Sequence, residues 1–250
     1  ALRETVGDNQ WVTHNSTGVF NRGISHIDYA KALDVGGWDA YPGAAGQPYP
    51  YAYSALAHDL FRSVRHEPFL VLETAGAKRA HIGFLAEMRA HGSRMVLIWH
   101  WRRHRGNRES GPNALCDNDG QVVAKQIPAI RDLAAQLPLD ADLTAPIPKR
   151  DAAFVFSYDC ARMQLREGTD RAAYLQHIIK VYQPFWQIGA GMDVVEPGDA
   201  LDGYKLAIAP SMLLMAPHHA EALQKFVENG GVLLCMAPLV RHVMPQDDAA

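Results

Sequence analysis

The stretch PFLVLE, residues 68–73, is a continuous run of apolar residues with the length of a β-strand, and it ends in a carboxylate. A run of this kind is typical of a parallel strand that is buried on both faces. A charge without a partner at the edge of a hydrophobic core costs free energy, so Glu73 needs a partner or a function. The stretch therefore predicts a parallel sheet with Glu73 at the carboxyl end of one strand.

Short strand-like runs alternate with amphipathic stretches on both sides of residues 68–73. The predicted strands in this region are 11–15, 34–42, 68–73 and 94–101, and the predicted helices are 26–33, 53–65, 81–92 and 122–137. Units in which a helix follows each strand build parallel sheets. Residues 11–137 are therefore predicted to form one sheet of four strand–helix units.

The stretch PLDADLTAPIPKRD, residues 138–151, contains three prolines and few apolar residues, which is typical of a linker. After it, the predicted strands are 152–159, 191–197, 204–211 and 230–237. Helices are predicted through residues 174–185 and 218–231. This pattern predicts a second, doubly wound α/β domain.

Composition excludes several classes of function. The formal net charge is -3 and the basic residues are scattered, so no surface for nucleic acid is predicted. No stretch approaches the ~20 apolar residues that cross a bilayer, and the first ten residues lack the pattern of a secretory signal. The three cysteines lie far apart, which argues against disulfides and a zinc ribbon. We predict a cytoplasmic protein without a metal or cofactor.

Polar side chains follow the predicted strands of the first region: Asn15, Asp39, Glu73, and the cluster HWRRHR at 100–105 with Glu109 after it. The carboxyl ends of parallel strands converge on one rim, where chemistry is usually found. Other interpretations stay open for each of them. Glu73 could cap the next helix, Asp39 could shape a turn, and the later charges could lie in a solvated loop.

Tryptophans accompany these carboxylates. Trp38 and Trp99 are of a type more often found in a core, whereas Trp101 stands at a strand end, where its ring could stack on a sugar. Carboxylates that act on the glycosidic oxygen and the anomeric carbon, with aromatic faces to hold the ring, are what a sugar-cleaving site needs. The combination favours glycoside hydrolysis.

Several motifs resemble one family in order and spacing. The segments WVTHN (11–15), ALDVGGWDAYP (32–42), ALAHDLFRSVRHEPFLVLET (55–74), AHGSRMVLIWHWRRHRGNRE (90–109) and DNDG (117–120) resemble the second half of the catalytic barrel of glycoside hydrolase family 42 β-galactosidases. Residues 193–234 look like the trimerisation domain of that family, whose flavodoxin-like fold is similar to class I glutamine amidotransferases. The resemblance implies a partial (β/α)8 TIM barrel, strands five to eight, in residues 1–138, a linker at 139–151 and the trimerisation-like α/β domain in 152–250.

The resemblance also implies site residues and a mechanism. Glu73 falls at the catalytic nucleophile, which forms a covalent glycosyl-enzyme with retention of configuration, and the partner acid must then lie about 5 Å away. In the family that acid/base glutamate lies on strand four, upstream of this chain. The residues expected to shape the sugar pocket are Asn15, Trp38, Asp39, Tyr41, Trp101, Arg102 and Glu109. Pro112 stands where the family has a galactose-binding His, and the loop after Glu73 lacks its stacking Trp.

Two further expectations concern the whole chain. Half a barrel has open sheet edges, so the chain is expected to be a fragment or to need a partner with the first four strands, and to be inactive alone. The resemblance implies a homotrimer acting on galactosides. One alternative is a non-catalytic sugar-binding or oligomerisation module, and another is an amidotransferase-like enzyme with Cys160, which follows a predicted strand, as nucleophile.

Overall fold

A computed structural model describes residues 5, 7, 10–20, 23–42, 49–75, 82–106, 114–136, 143–166, 168, 171–237 and 242–244. The chain divides into two compact units. The first consists of residues 1–17 and 29–147, and the second of residues 18–28 and 148–250. None of the helices in these described ranges has the length and apolar content that crossing a membrane requires.

The first unit contains a parallel sheet flanked by helices. Its elements are α1 (His26–Lys31), whose first half belongs to the second unit, β1 (Gly37–Ala40), α2 (Pro50–Ser63), β2 (Phe69–Ala75), α3 (Ile82–Ala90), β3 (Ser93–Trp99) and α4 (Ile127–Gln136). The three strands pair in the order β1-β2-β3, and both pairings are parallel. The predicted alternation of strands and helices is confirmed for these elements.

The strand predicted at residues 11–15 is not formed, although this segment lies beside β1. The amides of Asp34 and Asp39 donate to the carbonyl oxygens of Val12 and Ser16 at 3.0 and 2.7 Å. In return, the amide of Val12 donates to the side chain of Asp34 at 2.6 Å, and the hydroxyl of Thr13 donates to the carbonyl of Val35 at 2.9 Å. Side chains thus take the place of backbone partners, which interrupts a regular ladder.

The start of one helix also differs from the prediction for a physical reason. The last helix of the first unit begins at Ile127 rather than at 122, so that Pro128 lies in its first turn. Proline is tolerated there because the first amides of a helix have no partner within the helix. The predicted helix is formed, but it begins later in the chain than its apolar pattern suggested.

Strand β3 is covered on one face only within the described residues. Ile98 packs against the cluster of Leu115 and Ala124, whereas Met95 and Leu97 on the alternate face are 44% and 46% exposed. Residues 94–101 are a largely apolar run like residues 68–73 and therefore predict another strand that is buried on both faces, but the described residues do not supply the second covering layer.

The second unit is a doubly wound α/β domain. Its elements are β4 (Ala152–Val155), α5 (Tyr158–Arg166), α6 (Arg171–Gln187), β5 (Met192–Val195), β6 (Leu206–Pro210), β7 (Leu214–Met215), α7 (Pro217–Glu228), β8 (Val232–Met236) and β9 (His242–Val243). Four parallel strands lie in the order β5-β4-β6-β8, and β7 pairs with β9. The strands that follow β4 in the chain, β5 and β6, lie on opposite sides of it. This reversal of the strand order is characteristic of a doubly wound sheet, as predicted.

Helix α5 was not predicted, because residues 152–159 were assigned to one strand. The hydroxyl oxygen of Ser157 accepts a hydrogen bond from the amide of Cys160 at 3.1 Å, as the N-cap of a helix does. The strand therefore stops at Val155 and a helix starts at Tyr158. Serine before an amphipathic stretch was the signal in the sequence that marks this boundary.

Candidate active site

Two carboxylates lie side by side at the carboxyl ends of β1 and β2. The register pairs Gly37 with Leu70 and Trp38 with Val71, but then pairs Asp39 with Glu73, so that Leu72 is an extra residue. In an unbroken register Glu73 would pair with Ala40 and lie on the face opposite Asp39, since successive side chains alternate. The bulge at Leu72 therefore brings both carboxylates to the same face.

The side chain of Asn15 joins these two carboxylates. Its amide nitrogen Nδ2 donates to Asp39 Oδ1 at 2.9 Å and to Glu73 Oε1 at 3.2 Å. A side-chain amide has two hydrogens on its nitrogen, so both are used. If the amide were flipped, Asn15 Oδ1 would face the carboxylate oxygens of Asp39 and Glu73, and three acceptors would meet without a donor. The orientation with Nδ2 towards the carboxylates is therefore the one that hydrogen bonding supports.

Tyr41 supplies the second partner of Glu73. Its hydroxyl donates to Glu73 Oε2 at 2.9 Å, so each oxygen of the carboxylate accepts a hydrogen bond from a neutral donor. Glu73 lies within strand β2 (Phe69–Ala75), which argues against the interpretation of Glu73 as the N-cap of α3. The strand-end carboxylate is thus held by side chains from two neighbouring segments.

Tyr29 supports the segment that carries Asn15, a role that no pattern in the sequence indicates. The tyrosine hydroxyl donates to the carbonyl oxygens of His14 and Asn15 at 2.6 and 3.1 Å. Burial and the neighbouring charge of Asp39 raise the pKa of Tyr29 to about 12, so it keeps its proton at neutral pH. Because Tyr29 lies on α1 and not at a strand end, the strand-end argument could not find it.

Asp39 is buried beside Glu73. Burial and the charge of Glu73 raise the pKa of Asp39 to about 6, although the hydrogen bond from Asn15 and the His14 side chain act in the opposite direction. The folded protein therefore binds a proton at Asp39 more tightly than the unfolded chain does. Below about pH 6 the Asp39 carboxyl is predominantly neutral, and above it Asp39 carries a charge next to Glu73.

The tryptophans named from the sequence lie in different surroundings. Trp38 is 1% exposed and packs against Tyr53, His58 and Phe61, with its ring stacked on Phe61 at 6.3 Å. Since a ring buried in this way has no face left for a ligand, Trp38 is a core residue and the prediction that it shapes the sugar pocket is corrected. Trp101 follows β3 and is 65% exposed, which leaves its ring accessible for stacking.

Arg102 contacts a loop and not the two carboxylates. The guanidinium of Arg102 donates from Nε to the carbonyl of Asn118 at 3.1 Å, and Nη2 donates to the same oxygen. Arg102 also pairs with Cys116 through an isolated bridge, so its side chain and backbone hold the loop that follows β3. Glu109 lies outside the described residues.

Cys160 in the second unit lacks the properties of a nucleophile. It is 1% exposed, and its Sγ donates to the carbonyl of Leu214 at 3.1 Å. Burial raises the pKa of the thiol, and the thiolate is the reactive form. The geometry therefore argues against the amidotransferase-like alternative. As for metals, the described ranges hold no group of three or more His, Cys, Asp or Glu side chains suited to a metal ion.

Glu73 has the surroundings that a carboxylate nucleophile needs, and these are supplied by Asn15, Asp39 and Tyr41. Glu73 is only partly buried, so one side of its carboxylate remains accessible. Neutral donors hold both oxygens without neutralising the charge, as an attack on an electron-poor carbon requires. A buried second carboxyl adds negative potential nearby, which favours a transition state with positive charge.

Comparisons with known proteins agree along the chain. The family model described as "Beta-galactosidase" matches residues 1–138, and the one described as "Beta-galactosidase trimerisation domain" matches residues 150–237. The β-galactosidase BglY of Alicyclobacillus acidocaldarius is 30% identical over 248 residues, which are 92% of this chain and 36% of that protein. The chain thus spans about a third of the length of the curated relatives it matches.

Solved structures show the same likeness. A catalytic mutant of Gan42B, a GH42 β-galactosidase from G. stearothermophilus, is 25% identical with a TM-score of 0.69, over 84% of this chain and 34% of that one. A β-galactosidase from the haloarchaeon Halorubrum lacusprofundi is 25% identical with a TM-score of 0.74, over 90% of this chain and 37% of that one.

Proposed function

The chain belongs to the glycoside hydrolase family 42 β-galactosidases, and from this premise we propose that it carries the nucleophile of a retaining glycosidase that cleaves terminal β-D-galactosyl bonds. The observation that carries the proposal is the setting of Glu73. It stands at the carboxyl end of β2, its oxygens accept hydrogen bonds from Asn15 and Tyr41, and Asp39 lies beside it.

The proposed reaction has two steps. An oxygen of Glu73 attacks the anomeric carbon and forms a glycosyl ester, while the bond from that carbon to the leaving oxygen breaks and a carboxylic acid gives this oxygen its proton. In the second step that residue, now a carboxylate, removes a proton from water, and the water oxygen displaces Glu73. Configuration is retained because the anomeric centre is inverted twice.

The acid/base residue is proposed to lie outside this chain, on the strands that complete the barrel. A retaining enzyme needs the acid about 5 Å from the nucleophile, within reach of the leaving oxygen. Asp39 does not suit that role, because it is 7% exposed and one of its oxygens is occupied by Asn15. In the described sheet β3 has a neighbour on one side, so further strands would pair at its other edge, and their side chains would cover its exposed face.

Three properties complete the proposal. The substrate is a β-galactoside or a related oligosaccharide, with the exposed ring of Trp101 as a stacking surface. The protein is a homotrimer, supported by the match of residues 150–237 to a trimerisation domain. The proposed localisation of the protein is the cytoplasm.

Covalent labelling tests the role of Glu73. A protein that carries this chain together with the complementary strands is incubated with an activated 2-deoxy-2-fluoro-β-galactoside, and the labelled peptide is identified by mass spectrometry. We expect the label on Glu73. Glu73→Ala should lower kcat by roughly 10⁴-fold, and azide should restore turnover and give the α-galactosyl azide.

The exposed carboxylate of Glu221 provides the control, because Glu221→Ala should leave turnover unchanged. A label on another residue, or full activity of Glu73→Ala, would contradict the assignment. Galactoside binding without any label or turnover would instead support the alternative function, a catalytically incomplete sugar-binding and oligomerisation module. The uncovered face of β3 is the observation that favours this alternative.

A further inference from the structure

Asp39 is poorly placed to contact a sugar. It is 7% exposed, and its Oδ1 accepts a hydrogen bond from Asn15 at 2.9 Å. Asn15, in contrast, is exposed, and the burial of Glu73 is intermediate between that of Asp39 and that of Asn15. The burial of Asp39 therefore calls for a role other than the substrate contact expected from the sequence.

The amide of Asn15 transmits the position of Asp39 to Glu73. The amide group is planar, so its two N–H bonds point in fixed directions relative to one another. When Asp39 Oδ1 holds one hydrogen at 2.9 Å, the direction of the other towards Glu73 Oε1 at 3.2 Å is determined. Without Asp39, the exposed amide could rotate away from the nucleophile.

The backbone under Asn15 is held as well. The hydroxyl of Tyr29 donates to the carbonyls of His14 and Asn15, and the amide of Asp39 itself donates to the carbonyl of Ser16 at 2.7 Å. Asn15 is thus fixed at its backbone by one set of contacts and at its amide by Asp39. These backbone contacts do not restrict the rotation of the Asn15 side chain, which is restricted by the hydrogen bond to Asp39.

We propose that Asp39 is a positioning residue that acts through Asn15, holding its amide so that the second hydrogen fixes the attacking carboxylate of Glu73. The inference rests on the proposed function of Glu73. The titratable groups that face Asp39 are Glu73, His14 and Tyr29. Since the pKa of Asp39 is about 6, its hydrogen bond with Asn15 becomes charge-assisted, and stronger, as pH rises through that value.

A double-mutant cycle tests this coupling. In the protein with the complementary strands, Asp39→Ala and Asn15→Ala should each lower kcat about 10- to 100-fold with KM within about twofold, because orientation of the nucleophile is lost. In the Asn15→Ala background, Asp39→Ala should have much less further effect, since its route to Glu73 through the amide is gone. If Asp39 only supports the fold, the two losses in log kcat would add and the inference would be overturned.

Asp39→Asn separates geometry from charge. It keeps an oxygen acceptor for the Asn15 amide and should retain most of kcat, but the part of the pH profile that changes near pH 6 should disappear. Thermal unfolding of each variant shows whether it is folded at the assay temperature. An Asp39→Ala variant that is folded and within threefold of the wild-type kcat would refute the inference while leaving the proposed function intact.

A measurement that does not need turnover tests the inference even if the protein proves to be inactive. If the wild type neither cleaves galactosides nor accepts the label, the proposed function fails. The chemical shift of the Glu73 carboxyl carbon, identified by ¹³C NMR difference against Glu73→Gln, still reports the contact. The inference predicts that Asp39→Ala and Asn15→Ala change this resonance alike at pH below 5, where Asp39 is neutral. An unchanged resonance in Asp39→Ala would overturn it.

Discussion

At the scale of single residues, the strand-end argument identified side chains that the structure joins by hydrogen bonds. That argument named Asn15, Asp39 and Glu73, the family resemblance implied Tyr41, and all four lie in one cluster. The sequence could not show which face of a strand each occupies. That depends on the bulge at Leu72, which no local pattern reveals, and on the packing that buries Trp38.

Gly37 tests how tightly the strands fit beneath these carboxylates. A Cβ at Gly37 would lie 2.6 Å from Leu72 Cδ1 and 3.0 Å from Thr13 Oγ1. Gly37→Ala should therefore lower the free energy of unfolding by about 1 kcal/mol, since the end of a leucine side chain can partly move aside. The measurement is urea denaturation, where the midpoint should fall with an unchanged m value.

Gly83 in α3 is the matched control. A Cβ there has no heavy atom within 4 Å among the described residues, and the glycine does not have a positive φ. Gly83→Ala should stabilise the protein by a few tenths to about 1 kcal/mol, because alanine loses less conformational entropy in a helix. A Gly37→Ala variant as stable as the wild type would show that the packing of Leu72 over β1 is looser than the structure indicates.

At the scale of elements, apolar periodicity predicted α2 and α3, but it did not predict the charged network between them. Asp59 accepts a hydrogen bond from Arg62 at 2.9 Å and lies 2.8 Å from His91 Nδ1, and His91 Nε2 lies 3.4 Å from Glu87. Asp59 and Arg62 are 1% and 0% exposed. Long-range pairing between charges depends on the tertiary structure, so the sequence around His91 does not reveal its partners.

His91 should make stability depend on pH. Burial acts to lower the pKa of His91, but the charge and hydrogen bond of Asp59 and the charge of Glu87 raise it, and the net shift is upward. The stabilisation is thus complete below about pH 6.5 and is lost as pH rises through the raised pKa. The free energy of unfolding measured with urea should fall over this range, and His91→Gln should remove that slope.

The exposed His242 provides the control for this experiment, because His242→Gln should leave the slope as in the wild type. Loss of the imidazolium should also cost on the order of 1 kcal/mol at pH 6, as it leaves buried Asp59 with one partner fewer. A wild-type stability that stays constant or rises from pH 6 to 9 would contradict the protonated state of His91.

At the scale of the whole molecule, the class of fold could be predicted from the sequence, but whether each face of a sheet is covered could not. Apolar runs of strand length with helical stretches between them specify parallel sheets, and the prediction of a partial TIM barrel followed by an α/β domain is confirmed. Coverage of a sheet is decided by partners distant in sequence. For this reason β3 was predicted to be buried on both faces, whereas Met95 and Leu97 are exposed among the described residues.

Leu97 tests whether this face is covered when the barrel is complete. Leu97→Lys should change the stability of the 250-residue chain by less than about 0.5 kcal/mol, because the side chain is 46% exposed there. In a protein that includes the complementary strands, the same lysine would be enclosed in apolar surroundings and should cost several kcal/mol. Val123→Lys, at a position that is 41% exposed in the loop before α4, should be nearly neutral in both proteins. Urea denaturation of the four variants measures these effects, and an equal cost of Leu97→Lys in both proteins would show that β3 keeps an open face and that the barrel is not closed over it.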